Sequence, residues 1–457
     1  MLQTSEYKAR DYLVWLCDVQ DFRFVEKRKQ IKWSIKTVLL VFVGWMLLIG
    51  TASSGLWLMF ATNQPYRYVL GVAIVILSPM LLGHIILAPL IVIQSFVQKP
   101  IESAIIYRAK KNLAKHHGVK IAIAGSFGKT SIREILKTVL SEDKKVAAPP
   151  HSYNTPLGIS KFIKTLKGNE EVLIFELGEY YPGDVKKLCK LINPDIGIIT
   201  GINEAHLEKF KTIKRTVQTI YELADFLDYK PVYVNGESIL ARDNARSDHI
   251  IYSREGISGW RIENAHSDLS GTSFVIEKNN IPMEIRSSLL GLHQIGPLAL
   301  SVDLARRLGS TPAQIREGTS KTKPFDHRLA LSVDCNGVTT LDDSYNGNPD
   351  GVKAVITFLA SLKGRRFYVT PGLVEMGSKK EKIHREIGRQ LAKAQIEKVV
   401  LIKNSVTPFI EEGLREARYQ GEIMWFEDAL KAFATLPHLT VKDDIVLLQN
   451  DWPDQYI

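Results

Sequence analysis

Lys129 and Thr130 follow a glycine-rich turn in VKIAIAGSFGKTS, residues 119–131, and an ammonium beside a hydroxyl in that setting is the chemistry of polyphosphate binding. Lys129 would neutralise the β- and γ-phosphates, and Thr130 would offer its oxygen to Mg2+. The backbone N–H groups of Gly125, Ser126, Phe127 and Gly128, with Ser131 and the positive end of the helix that opens there, would supply the rest of the cradle. The spacing is shorter than the general G-x-x-x-x-G-K-[ST], because Ile123 holds the place of its first glycine and the loop reads G-x-x-G-K-T-S. A nucleotide is the ligand class this loop implies.

Such a loop needs a buried strand before it and an amphipathic helix after it, and VKIAIA and IREILKTVL provide both. Strands then alternate with helices: VLIFEL (172–177), IGIITGI (196–202) and PVYVN (231–235). That is the pattern of a parallel sheet covered on both faces. Glu176 ends one of these strands, where a carboxylate points into the crevice in which parallel sheets bind ligands; the plainer reading is a surface acid. His206 follows another strand, where a lone histidine is usually structural, and Asn154 by itself is a turn residue. Residues 250–288, with TSFVIE and PMEIRSS, would extend the sheet in antiparallel fashion. A second α/β unit begins near Asp326, with strands VTTLDD, RRFYVT, KVVLIK and DIVLLQ. The expected fold class is α/β: a P-loop central parallel-sheet domain plus a Rossmann-like C-terminal α/β domain, preceded by a two-helix transmembrane hairpin.

With 457 residues, 45% hydrophobic and 24% charged, the chain can bury two or three cores. Its net charge of +10 raises the question of nucleic acid, but residues 1–120 hold 15 Lys and Arg against 6 Asp and Glu, which leaves about +1 for the remainder. The basic excess belongs to the N-terminal region, and no nucleic-acid partner is expected. Cys17, Cys189 and Cys335 are odd in number and far apart, so neither a disulfide framework nor a zinc site is expected.

Two apolar runs, Thr37 to Phe60 and Tyr68 to Val97, are separated by ATNQPYR, and between Trp33 and Gln98 the only formal charges are Lys36 and Arg67. Each run is long enough to cross about 30 Å of hydrocarbon as a helix. Lys27, Arg28, Lys29, Lys32 and Lys36 precede the pair, and Lys99, Arg108, Lys110, Lys111 and Lys115 follow it. Both ends are therefore expected on the cytoplasmic side of the membrane. Trp33, Trp45, Trp57, Tyr66 and Tyr68 are candidate interface anchors, and Pro79 and Pro89 would kink the second run. The expected organisation is a basic cytosolic segment (1–36) containing a short amphipathic helix, a transmembrane hairpin (37–98), a basic linker helix (99–117), a central domain (118–324) and a C-terminal domain (325–457).

The motifs AGSFGKTS, SYNTPLGIS, FELGEYYPGDV, GINEAHLEKF, GLHQIGPLAL, PFDHRL, DDSYNGNPDG and EMG with His384 occur in one order over about 340 residues. By them the chain from about Gly118 onward resembles the Mur ligase family of ATP-dependent amide-bond-forming ligases, nearest to its D-alanyl-D-alanine-adding branch. The resemblance implies an acyl-phosphate route: a substrate carboxylate attacks the γ-phosphate of ATP, and an amine then displaces phosphate. It implies that Thr130 and Glu176 share one Mg2+, that His206 binds a second, and that Asn154 lies near the γ-phosphate. Gln294 stands where the family has the Asn that reads adenine, Arg328 matches an interdomain phosphate contact with His327 before it, and Asp343 matches the acid that meets the ribose hydroxyls. Lys129, Glu176, His206 and Arg328 would carry catalysis. Asn346 and Asn348 read equally as a turn or as site residues. Glu375, Gly377 and His384 would lie near the incoming amino component.

The chain departs from the family in two places. The family's second-metal position holds a carbamylated lysine; counted from His206 it falls on Ile220, which cannot ligate a metal, so that the site is lost or Glu222 substitutes as an oxygen ligand. The family's N-terminal UDP-sugar domain is replaced by the apolar hairpin, so the acceptor is a muramoyl peptide or a lipid-linked wall precursor. Expected partners are ATP, that acceptor, D-Ala-D-Ala or another amine, and membrane lipid. The expected function is a membrane-anchored ligase of cell-wall precursor synthesis that adds D-alanyl-D-alanine to a muramoyl peptide. The alternatives are a related ligase or amidating enzyme for another acceptor, and an ATP-binding membrane scaffold without catalysis.

Overall fold

The computed structural model describes residues 33–61, 65–85, 94–150, 153–203, 212–345, 347–373 and 376–449, with Tyr12, Ile91 and Phe210 as single positions. The N-terminal amphipathic segment apart from Tyr12, together with Pro89, His206, Asn346 and Glu375, lies outside the described residues. The chain forms two units, Met1–Tyr107 and Arg108–Ile457.

The first unit contains the apolar helices Ile35–Ala61 and Arg67–Ile85. Ser34 starts the former by accepting the Thr37 N–H at 3.2 Å. The helices pack through Gly55 and Gly71: a Cβ on Gly55 would stand 2.9 Å from the Gly71 carbonyl oxygen, and one on Gly71 would stand 2.7 Å from that of Gly55. Small residues at such a crossing let apolar helices meet backbone to backbone. The stretch Thr37–Ala61, 25 residues with a mean hydropathy of 1.9, is long and apolar enough to cross a membrane by length and composition. The second helix is described over 19 residues, and most of the rest of the run expected to Val97 lies outside the described residues.

In the second unit a ten-stranded sheet comprises β1 Val119–Ala124, β2 Val146–Ala147, β3 Val172–Glu176, β4 Ile196–Ile199, β5 Val232–Asn235, β6 Ile250–Ser253, β7 Gly256–Ile257, β8 Trp260–Asp268, β9 Gly271–Lys278 and β10 Ile281–Ser287. Its order is β10-β9-β8-β7-β6-β5-β4-β1-β3-β2. Neighbours from β2 to β6 are parallel, and those from β6 to β10 are antiparallel. Central strand β1 is fully buried from Ile121 to Ala124, which is why its sequence is apolar on both faces. The stretch 250–288 is antiparallel as expected; in β8, WRIENAHSD, the alternation of Trp260 and Ile262 with charged residues stops after Glu263, and pairing with β9 carries the strand on to Asp268.

A second sheet comprises β11 Ala330–Val333, β12 Thr339–Asp343, β13 Arg366–Thr370, β14 Lys398–Ile402, β15 Glu422–Phe426 and β16 Ile445–Gln449, in the order β11-β12-β16-β13-β14-β15. All its neighbours are parallel except β11 and β12. On one side the helices Lys380–Lys393 and Thr407–Glu416 cross through Gly388 and Gly413. A Cβ on Gly388 would fall 2.1 Å from the Ile410 carbonyl oxygen, and one on Gly413 would fall 2.0 Å from that of Arg385.

Gly388→Ala should therefore force these helices apart and destabilise the protein by about 1–3 kcal/mol, the usual cost of overpacking. Urea unfolding measures it, and a midpoint equal to that of the wild type would contradict the crossing.

Candidate active site

β1 delivers the turn Gly125–Gly128 to the helix Lys129–Leu140. Gly125 has φ +149°, and a Cβ there would fall 2.0 Å from Thr200 Oγ1, so only glycine fits. Gly128, with φ +79°, turns the chain into the helix. The loop is fastened to the end of β4. Ser126 N–H donates to the Gly201 carbonyl at 2.7 Å, and the Thr200 hydroxyl donates to the Phe127 carbonyl. The Phe127 ring lies on Gly201, where a Cβ would come within 1.9 Å of it. Ser126 Oγ is buried without a hydrogen-bond partner, a condition that costs about 1–3 kcal/mol and that a phosphate oxygen would relieve.

At the helix N-terminus two carboxylates meet two cations. Lys129 Nζ stands 2.6 Å from Glu179 Oε1 and also donates to the Gly125 carbonyl. Thr130 Oγ1 donates to Glu176 Oε2 at 3.2 Å, and Arg133 Nη1 lies 2.9 Å from Glu176 Oε1. The side chains of Arg133 and Glu179 are each 3% exposed, and that of Glu176 is 10% exposed, so each of these charges is costly to leave without a counter-charge. Thr130 and Glu176 present hard oxygens side by side, a donor set that fits one Mg2+. Asn154 joins them: its carbonyl accepts the Gly178 N–H at 2.9 Å, and its side chain packs on Gly178, two residues past Glu176.

The loop also forms one wall of a cavity of about 610 Å³. Phe127, Gly128 and Ser131 line it together with Gln294, Arg328 and Asp343, so residues from distant parts of the sequence face one space. Asp343 ends β12 and accepts from Gln449 Nε2 at 2.5 Å. Burial pushes its carboxyl up to about 6, against the opposing pull of the Gln449 amide and the Arg328 guanidinium. Arg328 lies over the Tyr345 ring, 5.3 Å from its centre. His293, 2.9 Å from the Gln294 amide, is pushed down to about 4 by burial and by the charge of Arg254, and is neutral at pH 7. Asn203 Nδ2 donates to Asn348 Oδ1 and Asp350 Oδ2, both at 3.0 Å. Asn348 caps the helix Pro349–Ser361 by accepting the Gly351 N–H, and it also lines the cavity.

At the expected second metal position His206 lies outside the described residues. Ile220 is fully buried in the helix Ile213–Leu227. Glu222 accepts the Gly183 N–H at 2.8 Å and the Lys186 N–H at 2.9 Å, capping the helix Asp184–Ile192 with both oxygens. This corrects the expectation that Glu222 could serve as a metal ligand. Among the described residues no group of three or more His, Cys, Asp and Glu could hold a metal ion. His384 is corrected as well: it is fully buried, its Nε2 accepting the Leu373 N–H at 2.9 Å and its Nδ1 donating to the Lys380 carbonyl at 2.6 Å, roles assigned from these partners. It braces a loop instead of facing a substrate. Glu179, Arg133 and Gln449 escape the sequence reading, although Arg133, four residues past Lys129, and Glu179, three past Glu176, carry a helical and a loop spacing that pointed to them.

Since the unfolded chain releases the Asp343 proton near 3.8 and the folded chain near 6, the folded state holds more protons between those values and stability falls as pH rises through them. Asp343→Asn removes that cost and should gain on the order of 1–3 kcal/mol at pH 7 while flattening the profile between these two values. Urea unfolding across this range checks it, and a variant no more stable than wild type at pH 7 would contradict the burial of the carboxyl.

Residues 123–302 match the Mur ligase middle domain, and residues 327–449 match the Mur ligase glutamate ligase domain. Among curated proteins, the UDP-N-acetylmuramoyl-tripeptide--D-alanyl-D-alanine ligase of Bacillus subtilis is 24% identical over 334 residues, 72% of each chain. That of Escherichia coli is 25% identical over 293 residues, and the match spans 62% of this chain and 64% of the other, less than two thirds of its length. Among solved structures, MurF of Thermotoga maritima in complex with ADP superposes with a TM-score of 0.68 at 23% identity, covering 78% of this chain and 81% of that one. MurF of Acinetobacter baumannii gives 0.68 at 21% identity and 77% of both chains, so the fold is shared. The two domain matches lie in order and together take in the phosphate loop, Gln294, Arg328 and Asp343: the chain belongs to the Mur ligase family.

Proposed function

We propose that the chain is an ATP-dependent, ADP-forming ligase that joins D-alanyl-D-alanine to a muramoyl tripeptide. The observation that carries this reading is the single cavity lined by the phosphate loop, Gln294, Arg328 and Asp343. The named activity of the relatives supplies the substrates, and the ADP in the Thermotoga structure supports the nucleotide. The Gln294 amide donates to and accepts from the base edge, Asp343 meets the ribose hydroxyls, and the loop N–H groups with Lys129 hold the β- and γ-phosphates.

A Mg2+ held by Thr130 and Glu176 would offset charge on those phosphates. The substrate carboxylate attacks the γ-phosphorus, the bond to the ADP oxygen breaks, and the incoming amine displaces phosphate from the acyl carbon as it loses a proton. Lys129 and Arg328 act through charge at the transferring group, so the chain needs no nucleophile of its own. Arg133 keeps Glu176 aimed at Thr130 by pairing with its other oxygen. The length and hydropathy of Thr37–Ala61, with the basic residues on both sides of the apolar pair, support a tether at the cytoplasmic face of the membrane. Those apolar helices also favour a second reading, an acceptor carried on lipid.

Phosphate release from Mg-ATP, measured with UDP-muramoyl tripeptide in the presence and absence of D-Ala-D-Ala while product mass is followed, tests the reading. Dipeptide-dependent release with the matching adduct is expected; release only with a lipid-linked acceptor moves the assignment to the second reading, and silence with ATP binding intact overturns the ligase. Lys129→Ala should lower kcat by at least about 10²-fold, and near-normal turnover would remove the loop from the site. On cell fractionation the full chain should sediment with membranes and stay there in high salt; release by salt alone would refute the tether.

A further inference from the structure

Lys129 is the cation that meets phosphate in the reading above, and its partners in the structure are the Glu179 carboxylate at 2.6 Å and the Gly125 carbonyl. The pair is nearly dry, with the Glu179 side chain 3% exposed and that of Lys129 13% exposed. Glu179 is held by a crowded turn, since a Cβ on the preceding Gly178 would stand 2.7 Å from the Asn154 carbonyl oxygen. Glu176 has a different employment, with its oxygens facing Thr130 and Arg133. An ammonium that a carboxylate and a phosphate must share binds each less tightly than it would bind either alone, and the effect is largest where water does not screen it.

We propose that Glu179 is a positioning residue for Lys129, whose carboxylate competes with phosphate for the ammonium and so sets how tightly the triphosphate is held. The inference rests on the nucleotide reading of the loop. Through the reaction the ammonium turns to the phosphoryl group and swings back to Glu179 as phosphate leaves, so that Glu179 favours product release. Only hydrogen bonds of the ammonium exchange in this motion.

Calorimetric affinities of the full chain for Mg-ATP and Mg-ADP test it with Glu179→Gln and Glu179→Asp. The Gln variant keeps the shape and still accepts from Lys129 but lacks the charge; it should bind Mg-ATP about fivefold to tenfold more tightly, and Mg-ADP by a smaller factor, because ADP has no γ-phosphate for Lys129 to reach. The Asp variant keeps the charge and should stay within about twofold of wild type. Thermal unfolding verifies the fold of each, and Glu179→Ala gives the same comparison if the Gln variant does not fold. Unchanged or weaker ATP binding on loss of the charge, an equal gain for ATP and ADP, or an equal gain in the Asp variant overturns the proposal alone. Wild-type protein that binds neither nucleotide overturns the nucleotide reading, and this inference with it.

Discussion

The site depends on one close approach, that of the turn after β1 to the end of β4. Gly125 lies against Thr200, and Gly201 lies under the Phe127 ring, with no room for a side chain at either glycine. The hydrogen bonds from Ser126 N–H and the Thr200 hydroxyl then fix the loop to the neighbouring strand, so its course is set before any ligand arrives. The loop is fastened between two buried parallel strands, and the lysine and threonine that follow take their placement from the helix they open.

Around this fixed turn the protein buries more charge than its core requires. Glu176, Glu179, Lys129 and Arg133 form two ion pairs at the helix start, and Asp343 shares the cavity with Arg328. Such groups are a poor investment in stability, since each is withdrawn from water and answered only in part. Their concentration beside the phosphate loop is what a site that handles charge requires.

Much of this was legible in the sequence. The phosphate loop, the strands around it and the alternation of the second sheet follow from apolar runs punctuated by glycine, and β1, β3, β5 and β12 stand where those runs lie. What stayed hidden was decided by partners far away in the chain. β8 lay within the stretch expected to be antiparallel, but its end, His266 to Asp268, is held in the sheet by pairing with β9 and not by alternation. Glu222 was readable as a possible ligand, yet a helix end 36 residues earlier claims its oxygens. His384 looked like chemistry and is a brace between two backbone groups. Glu179 sits inside a motif that drew attention to Glu176, and nothing short of the folded loop shows that Lys129 turns to it.

One small joint has a wider reach. The Asn203 amide, just past β4, is held by Asn348 and Asp350 at the start of the helix Pro349–Ser361, so a single side chain ties the nucleotide sheet to the sheet that carries Asp343. By thermodynamic linkage the tie works in both directions. Whatever draws Asn203 away from that helix loosens the two lobes by a definite free energy, and keeping the lobes tied weakens the hold of that ligand by the same amount. The affinity of any ligand that competes for Asn203 and the firmness of the interdomain joint thus become two readings of one equilibrium, and a change in either reports on the other.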